Sequence, residues 1–269
     1  MKKIITYLIL VIFIIAGILF FLTRVPAVQD ALFQRLAQNL ISTAPNIFPE
    51  EDSLSALVCG SKSPLPHPTR AETCVMIKAG DETFIFDVGN KSIDNLRNWR
   101  VPLNQLNSIF ISHLHSDHIA ELPEIHMWNW IGTGRQSKLK VYGPEGINQV
   151  LNGFTEAFSL DWKYRNDHHG DKFAPLKAAG FDGYEITDFS EPVYESNGIV
   201  ITAFLVDHKP IDPSLAFKIE YKGRSIVLSG DTIYSEAILN NSKNVDVLFH
   251  EAFHKGTLDM MYNALPANA

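Results

Sequence analysis

The chain has 269 residues, 46% of them hydrophobic, enough for one sizeable buried core and an appendage. Its formal net charge of −7 excludes the broad basic footprint that gives a whole surface affinity for nucleic acid. Two cysteines, Cys59 and Cys74, are too few for a disulfide framework. They read as small buried strand residues, with mutual pairing the alternative in an exported chain.

Lys2 and Lys3 precede an uncharged apolar run from Ile4 to Leu22, long enough to cross a bilayer as a helix. The two lysines predict a cytoplasmic N-terminus. A signal peptide cleaved near Val25-Pro26-Ala27 is the competing reading, but its apolar core would be unusually long. Residues 1–24 are therefore expected to form an uncleaved transmembrane anchor. The rest of the chain then lies outside the cytoplasm, periplasmic in a Gram-negative bacterium, or is secreted if the segment is cleaved. Val28, Leu32, Leu36 and Leu40 recur at helical spacing and predict an amphipathic helix. With a polar, proline-containing linker it fills residues 25–52, and a globular domain takes 53–269.

That domain opens with a strand, Leu54 to Cys59, and a turn-rich loop in which His67 and Arg70 read as solvated surface. Cys74 to Ile77 and Thr83 to Phe86 make a hairpin through Gly80-Asp81. Asp87-Val88-Gly89-Asn90 closes it and leads into a short helix. Ile109-Phe110-Ile111 is a buried strand that runs into Ser112-His113-Leu114-His115-Ser116-Asp117-His118. Imidazole nitrogen and carboxylate oxygen are the donors that borderline-soft divalent metals take. A strand that ends and turns aims alternate side chains at one point, so His113 and His115 can share one metal. Asp117 and His118 then swing round to a second. A chance cluster on a solvated loop would have to place four ligand-type residues in six positions.

Ile119 to Trp130 reads as a helix, Leu139 to Tyr142 as a strand, and Gly146 to Phe158 as a further helix. Leu160 to Phe181 is the least regular stretch. Its Asp167-His168-His169-Gly170-Asp171 segment reads as an exposed polar loop, a lid, a substrate patch or an accessory metal site. Strands return at Ile199 to Val206, Leu215 to Tyr221 and Ser225 to Ser229, the last two joined by a Lys222-Gly223 turn. A final strand covers Val245 to Phe249. His208 and Asp231 each stand at a strand end, where two later ligands are needed.

His113-Leu114-His115-Ser116-Asp117-His118 resembles the His-x-His-x-Asp-His signature of the metallo-β-lactamase-fold hydrolases. The motif order that follows (helix, strand, Tyr142-Gly143-Pro144, helix, then His208 and Ser229-Gly230-Asp231-Thr232) resembles the ribonuclease Z branch and its arylsulfatase-like relatives. The likeness runs from about Leu54 to Phe253. It implies an α/β fold, a four-layer αββα sandwich with metals at one edge. It also implies two zinc ions, the first held by His113, His115 and His208, the second by Asp117 and His118, with Asp231 bridging. Asp87 would steady a ligand or the turn, and Asp117 would relay a proton. The implied activity is zinc-dependent hydrolysis, through a metal-bound hydroxide, of a phosphodiester, sulfate ester or other small ester or lactone. Redox chemistry is disfavoured, since the di-iron branch carries a glutamate where this chain has His115.

Two alternatives remain: a 3′-tRNA-processing endonuclease like ribonuclease Z, and a non-catalytic membrane-anchored homologue. The acidic chain has no basic, glycine-rich arm, so nucleic acid is not the expected partner. A small-molecule ester, and the membrane through the N-terminal helix, are; the oligomeric state is left open. Relatives of this branch carry a further histidine after the segment matching His250-Glu251-Ala252-Phe253. Here no histidine follows His254. Either His254 substitutes, or the second site is incomplete, or the fold lacks its last C-terminal elements, which is the expectation retained.

Overall fold

The computed structural model describes residues 2–42, 47–49 and 52–264, which fall in two units, Met1–Pro45 and Asn46–Ala269. In the first unit, α1 (Lys2–Leu22) is followed by α2 (Pro26–Ser42). Pro26 opens α2 at the position where a missing N–H costs nothing. Among the described residues no helix is long and apolar enough to cross a membrane. The transmembrane helix expected from the sequence is therefore not a finding of the structure.

The second unit begins with three antiparallel strands, β1 (Leu54–Gly60), β2 (Cys74–Ala79) and β3 (Glu82–Phe86). Then β4 (Leu106–Phe110), β5 (Leu139–Gly143) and β6 (Phe181–Glu185) add in parallel, completing a six-stranded sheet in sequential order. Parallel neighbours need crossovers. These run through α3 (Ser92–Asn98), through α4 (Ser116–Ile119) with α5 (Leu122–Thr133), and through α6 (Ile147–His169). A second sheet contains β7 (Tyr194–Ser196), β8 (Ile199–His208), β9 (Ile211–Tyr221), β10 (Arg224–Leu228) and β11 (Val247–Phe249), ordered β11-β10-β9-β8-β7. Helix α7 (Glu236–Asn241) packs on β8 and precedes β11, and α8 (Lys255–Ala264) follows it.

Strand alternation divides the first sheet between two cores. Phe84, Phe86 and Phe110 face the second sheet and meet Ile201, Leu215 and Phe217. The Phe110 ring stacks on Phe86 at 5.0 Å and stands edge-on to Phe217 at 5.6 Å. Ile85, Ile109 and Val141 point the other way, against Leu96 of α3, Leu122 and Trp130 of α5, and Ile147 and Leu151 of α6. Each such side chain contributes about 1.5–3 kcal/mol by leaving water. Two sheets thus pack face to face with helices outside, the α/β sandwich expected from the sequence.

Three local expectations are corrected. The Leu160–Phe181 stretch is not irregular throughout, because α6 continues to His169. Trp162 extends its buried face, Arg165–Asp161 and Lys163–Asp167 pair four residues apart, and Gly170 ends it at φ 74°. The helix expected at Ile119–Trp130 divides after Ile119. Glu121 turns back there, accepting hydrogen bonds from the backbone N–H groups of Lys91 (2.5 Å) and Ile93 (2.7 Å), and Pro123 sits in the first turn of the next helix. Finally, Cys59 and Cys74 are not separate buried thiols. The β1–β2 register places their Cα atoms 5.0 Å apart, and they form a buried disulfide.

Candidate metal centre

The loop Ser112–His118 leaves the C-terminal end of β4 and is tied to both sheets. Ile111 N donates to Tyr142 O (2.8 Å), Leu215 N of β9 donates to Ser112 O (2.9 Å), and Val88 N donates to His118 O (2.8 Å). His115 is extended at φ −65°, ψ 149° and precedes α4, so Asp117 and His118 fall on the first turn of a helix while His113 stays on the strand side. His113 and His118 are fully buried, Asp117 is 5% exposed, and His115 is exposed.

Two further strand ends reach this loop. His208 closes β8 at a bulge opposite Ile211. Asp231 follows β10 through Gly230, whose φ is 58°. A Cβ on Gly230 would lie 2.5 Å from Leu215 O and 3.2 Å from the Ser112 Cβ. Only glycine lets this chain end pass so close to the histidine loop. Beyond it, Thr232 N donates to the Glu251 carboxylate and Ile233 N to Asp207 O (2.9 Å), which fixes the Asp231 turn.

The donor atoms gather in two groups that share His113. His113 Nε2 lies 2.9 Å from His115 Nδ1, and His208 Nε2 lies 3.4 Å from that same His115 atom. Two nitrogens on one tetrahedral zinc are about 3.3 Å apart, from Zn–N distances near 2.0–2.1 Å, so these separations suit a shared ion. The second group is His113, His118 and Asp231. His118 Nε2 is buried with no hydrogen-bond partner among the described residues, and it faces Asp231 Oδ2 at 3.6 Å and Asp117 Oδ2 at 3.7 Å. A buried nitrogen without a partner between two carboxylates is a costly arrangement that a cation relieves. The residues present therefore fit a metal.

The other ring edge of His118 explains that orientation. Asp87 Oδ2 takes His118 Nδ1 at 2.9 Å, and Asp87 also accepts from Ser112 N and Ser112 Oγ, each at 2.8 Å. Asp87 does this from a left-handed backbone, φ 59°, which for a non-glycine residue stores strain at the site. Ser112 Oγ lies 3.1 Å from His113 Nδ1 and 3.2 Å from His118 Nδ1, so one hydroxyl braces both rings. Burial would lower the His118 pKa, but Asp87 and Asp231 outweigh it and raise it to about 10. Burial, and then the His118 charge, push His113 down to about 3. The potential at the His118 edge is thus strongly negative and favours positive charge.

His113, His115, His118, His208 and Asp231 fall in the two donor groups, whereas Asp117, expected beside His118 on the second metal, is in neither and comes within 3.7 Å of His118 Nε2. His168 and His169 lie elsewhere. They end α6, touch each other at 4.7 Å and belong to neither donor group. His254 also stands apart, exposed, with its carbonyl accepting from Thr257 and Leu258 at the start of α8. Sequence reasoning gave no role to Ser112 or Glu251. A serine directly before the first ligand is a readable sign for Ser112; for Glu251 the sign is the resemblance of His250-Glu251-Ala252 to a segment near the centre in the ribonuclease Z branch, although its contact to Thr232 crosses 19 residues.

Residues 58–265 match the family model described as anti-Pycsar protein Apyc1. Ribonuclease Z of Mycobacterium bovis is 31% identical over 204 residues, 75% of this chain and 71% of the relative. That of Mycobacterium marinum is 31% identical over 198 residues, covering 73% and 69%. Among solved structures, the short form of human tRNase Z superposes with a TM-score of 0.59 at 21% identity, covering 77% of this chain and 82% of that one. The metallo-β-lactamase-fold protein YhfI from Bacillus subtilis gives 0.55 at 21%, covering 74% and 70%. The chain belongs to the anti-Pycsar protein Apyc1 family, and it is a metal-dependent hydrolase of the metallo-β-lactamase superfamily in its ribonuclease Z branch.

Proposed function

We propose that this protein is a zinc-dependent phosphodiester hydrolase acting on a compact substrate outside the cytoplasm. The observation that carries the chemistry is the meeting of the His113, His115 and His208 nitrogens beside the partnerless His118 Nε2 and its two carboxylates. His113, His115 and His208 would hold one ion, and Asp117 and His118, with Asp231, the other. Bound zinc supplies Lewis acidity and a water that ionises near neutral pH. Asp87 and Ser112 keep the His113 and His118 rings oriented. Asp117 lines a cavity of about 360 Å³ together with Asp231, and from there it accepts the proton of the attacking water.

A phosphodiester is preferred to a sulfate ester or lactone because the relatives named ribonuclease Z act on that bond. Their 31% identity also favours a second reading, 3′ processing of tRNA. The net charge of −7 speaks against it. The uncharged run Ile4 to Leu22 behind Lys2 and Lys3 supports a membrane anchor, and the buried Cys59–Cys74 disulfide suits an oxidising compartment.

The test is metal content and turnover of the full chain. Zinc-loaded protein should carry about two equivalents per chain, hydrolyse bis(p-nitrophenyl) phosphate, and lose that activity on chelation. Faster cleavage of a tRNA precursor than of any small diester would replace the main reading with the second. Absence of bound zinc would remove both.

A further inference from the structure

We propose that Lys62, with Ser61 and Ser63, forms a second subsite that binds an anionic oxygen group on the non-reacting part of the substrate. This inference rests on the hydrolase reading above and narrows its substrate to esters that carry a second anionic group.

The cavity beside the metal centre is lined by Asp117 and Asp231 and also by Ser61, Lys62 and Ser63. Its volume, about 360 Å³, is in the lower part of the range for small-molecule sites. Val58, Val75 and Phe253 supply apolar wall, and Asp87, Asp117, Asp231 and Glu251 make the metal end of the cavity acidic, away from Lys62 in the first loop. Lys62 Nζ donates to Glu72 Oε1 at 2.6 Å and to Ser63 O at 3.1 Å. An ammonium has three N–H donors, and these contacts use two. Lys62 lines the cavity and Glu72 does not, so the cation of the pair is the member that borders this space. The Ser61 and Ser63 hydroxyls have no hydrogen-bond partner among the described residues. Lys62, with one N–H uncommitted, and the two serines thus border the same space that the metal-binding carboxylates line. Among the described residues that line it, Lys62 is the only lysine or arginine.

The segment is also held stiffly, as a preformed site requires. Ser61 N and Lys62 N both donate to Ala71 O at 2.9 Å, and Glu72 Oε2 accepts from Asn90 N at 2.9 Å. At Gly60 a Cβ would stand 1.6 Å from Glu72 O, so only glycine permits this approach of the two chain segments. The adjoining Cys59 is bonded to Cys74. With side-chain exposures of 11% and 10%, Lys62 and Glu72 form a pair that is largely desolvated, unlike a surface ion pair.

The probes are 3-phosphoglycerate and glycerol 3-phosphate, phosphomonoesters of similar size that differ by a carboxylate. Binding of each to the zinc-loaded full chain is measured by titration calorimetry, with bis(p-nitrophenyl) phosphate hydrolysis followed alongside. The expected result is about tenfold tighter binding of 3-phosphoglycerate, the gain of one charge-assisted hydrogen bond. Lys62→Met should abolish that preference with zinc content unchanged. Because Lys62→Met strands Glu72, the double variant Lys62→Met/Glu72→Gln is measured as well, and it should show the same loss. Equal binding of the two ligands by the wild type, or a preference that survives in both variants, overturns the subsite. A preference without any diester hydrolysis would sink the hydrolase reading and leave the subsite standing.

Discussion

His118 is held by one ring nitrogen so that the other is offered. Asp87 and Ser112 take Nδ1, and Nε2 is left toward Asp117 and Asp231. Replacing Asp87 by Asn keeps the shape but removes the carboxylate that makes the imidazole a stronger ligand. Zinc affinity should fall by about 10- to 100-fold, read by competition with a chromophoric chelator. Unchanged affinity would deny Asp87 its part. His115 makes a different case, because it is exposed and supports no core. His115→Ala should abolish zinc-dependent hydrolysis while stability changes by no more than about 0.5 kcal/mol. Full turnover in that variant would dismantle the three-histidine site.

At the scale of elements, the two cysteines bind the edge strand β1 to β2 across a separation of 15 residues. Closing a loop of that length is worth about 3 kcal/mol, so Cys59→Ser/Cys74→Ser should lower the unfolding free energy by that amount, read as a lower denaturant midpoint. An unshifted midpoint would show that the strand pairing alone suffices. Helix α5 carries a second testable device. His126 is buried among Trp130, Trp162 and Phe181, and its Nε2 accepts a hydrogen bond from Gly180 N at 2.9 Å, so that nitrogen carries no proton. Burial lowers its pKa to about 4, below the ordinary value of 6.5. The unfolded chain binds this proton first, so the contribution to stability is complete above pH 6.5. It declines as pH falls toward 4, by at most about 1.4 kcal/mol per pH unit. His126→Phe should flatten that segment of the stability-versus-pH curve. A slope that persists unchanged would assign it to other groups.

These elements also show what could be read in advance. The His113–His118 ligands were legible because four donors sit within six residues of a strand end, so local geometry alone brings them together. His208 and Asp231 followed from the demand for two more strand-end ligands. The far half of α6 was not legible, since Asp161 to His169 is polar and its single buried residue, Trp162, stands alone in that turn. The disulfide depended on the β1–β2 register, and the Lys62–Glu72 pair on the fold of a ten-residue loop. Neither is set by spacing in the chain.

At the scale of the whole molecule, charge and redox chemistry bear together on where the hydrolase works. Helix α1 is 21 residues long, and Ile4, Ile12, Phe13 and Ile15 on it are more than half exposed in the isolated chain. Water makes such a surface costly, at roughly 25 cal/mol per Å² of apolar area, whereas a bilayer does not. If Lys2 and Lys3 hold the N-terminus on the cytoplasmic side, the globular unit lies where the Cys59–Cys74 disulfide can form and persist. The two properties should therefore be found in the same molecules. In membranes from expressing cells, the full chain should stay in the pellet through alkaline carbonate washing, and its cysteines should resist alkylation until denatured and reduced. Deleting residues 2–22 should release the protein and leave it in a reducing compartment with both thiols reactive. A full chain that washes off, or one that stays bound with free thiols, would break the link between anchor and oxidising side.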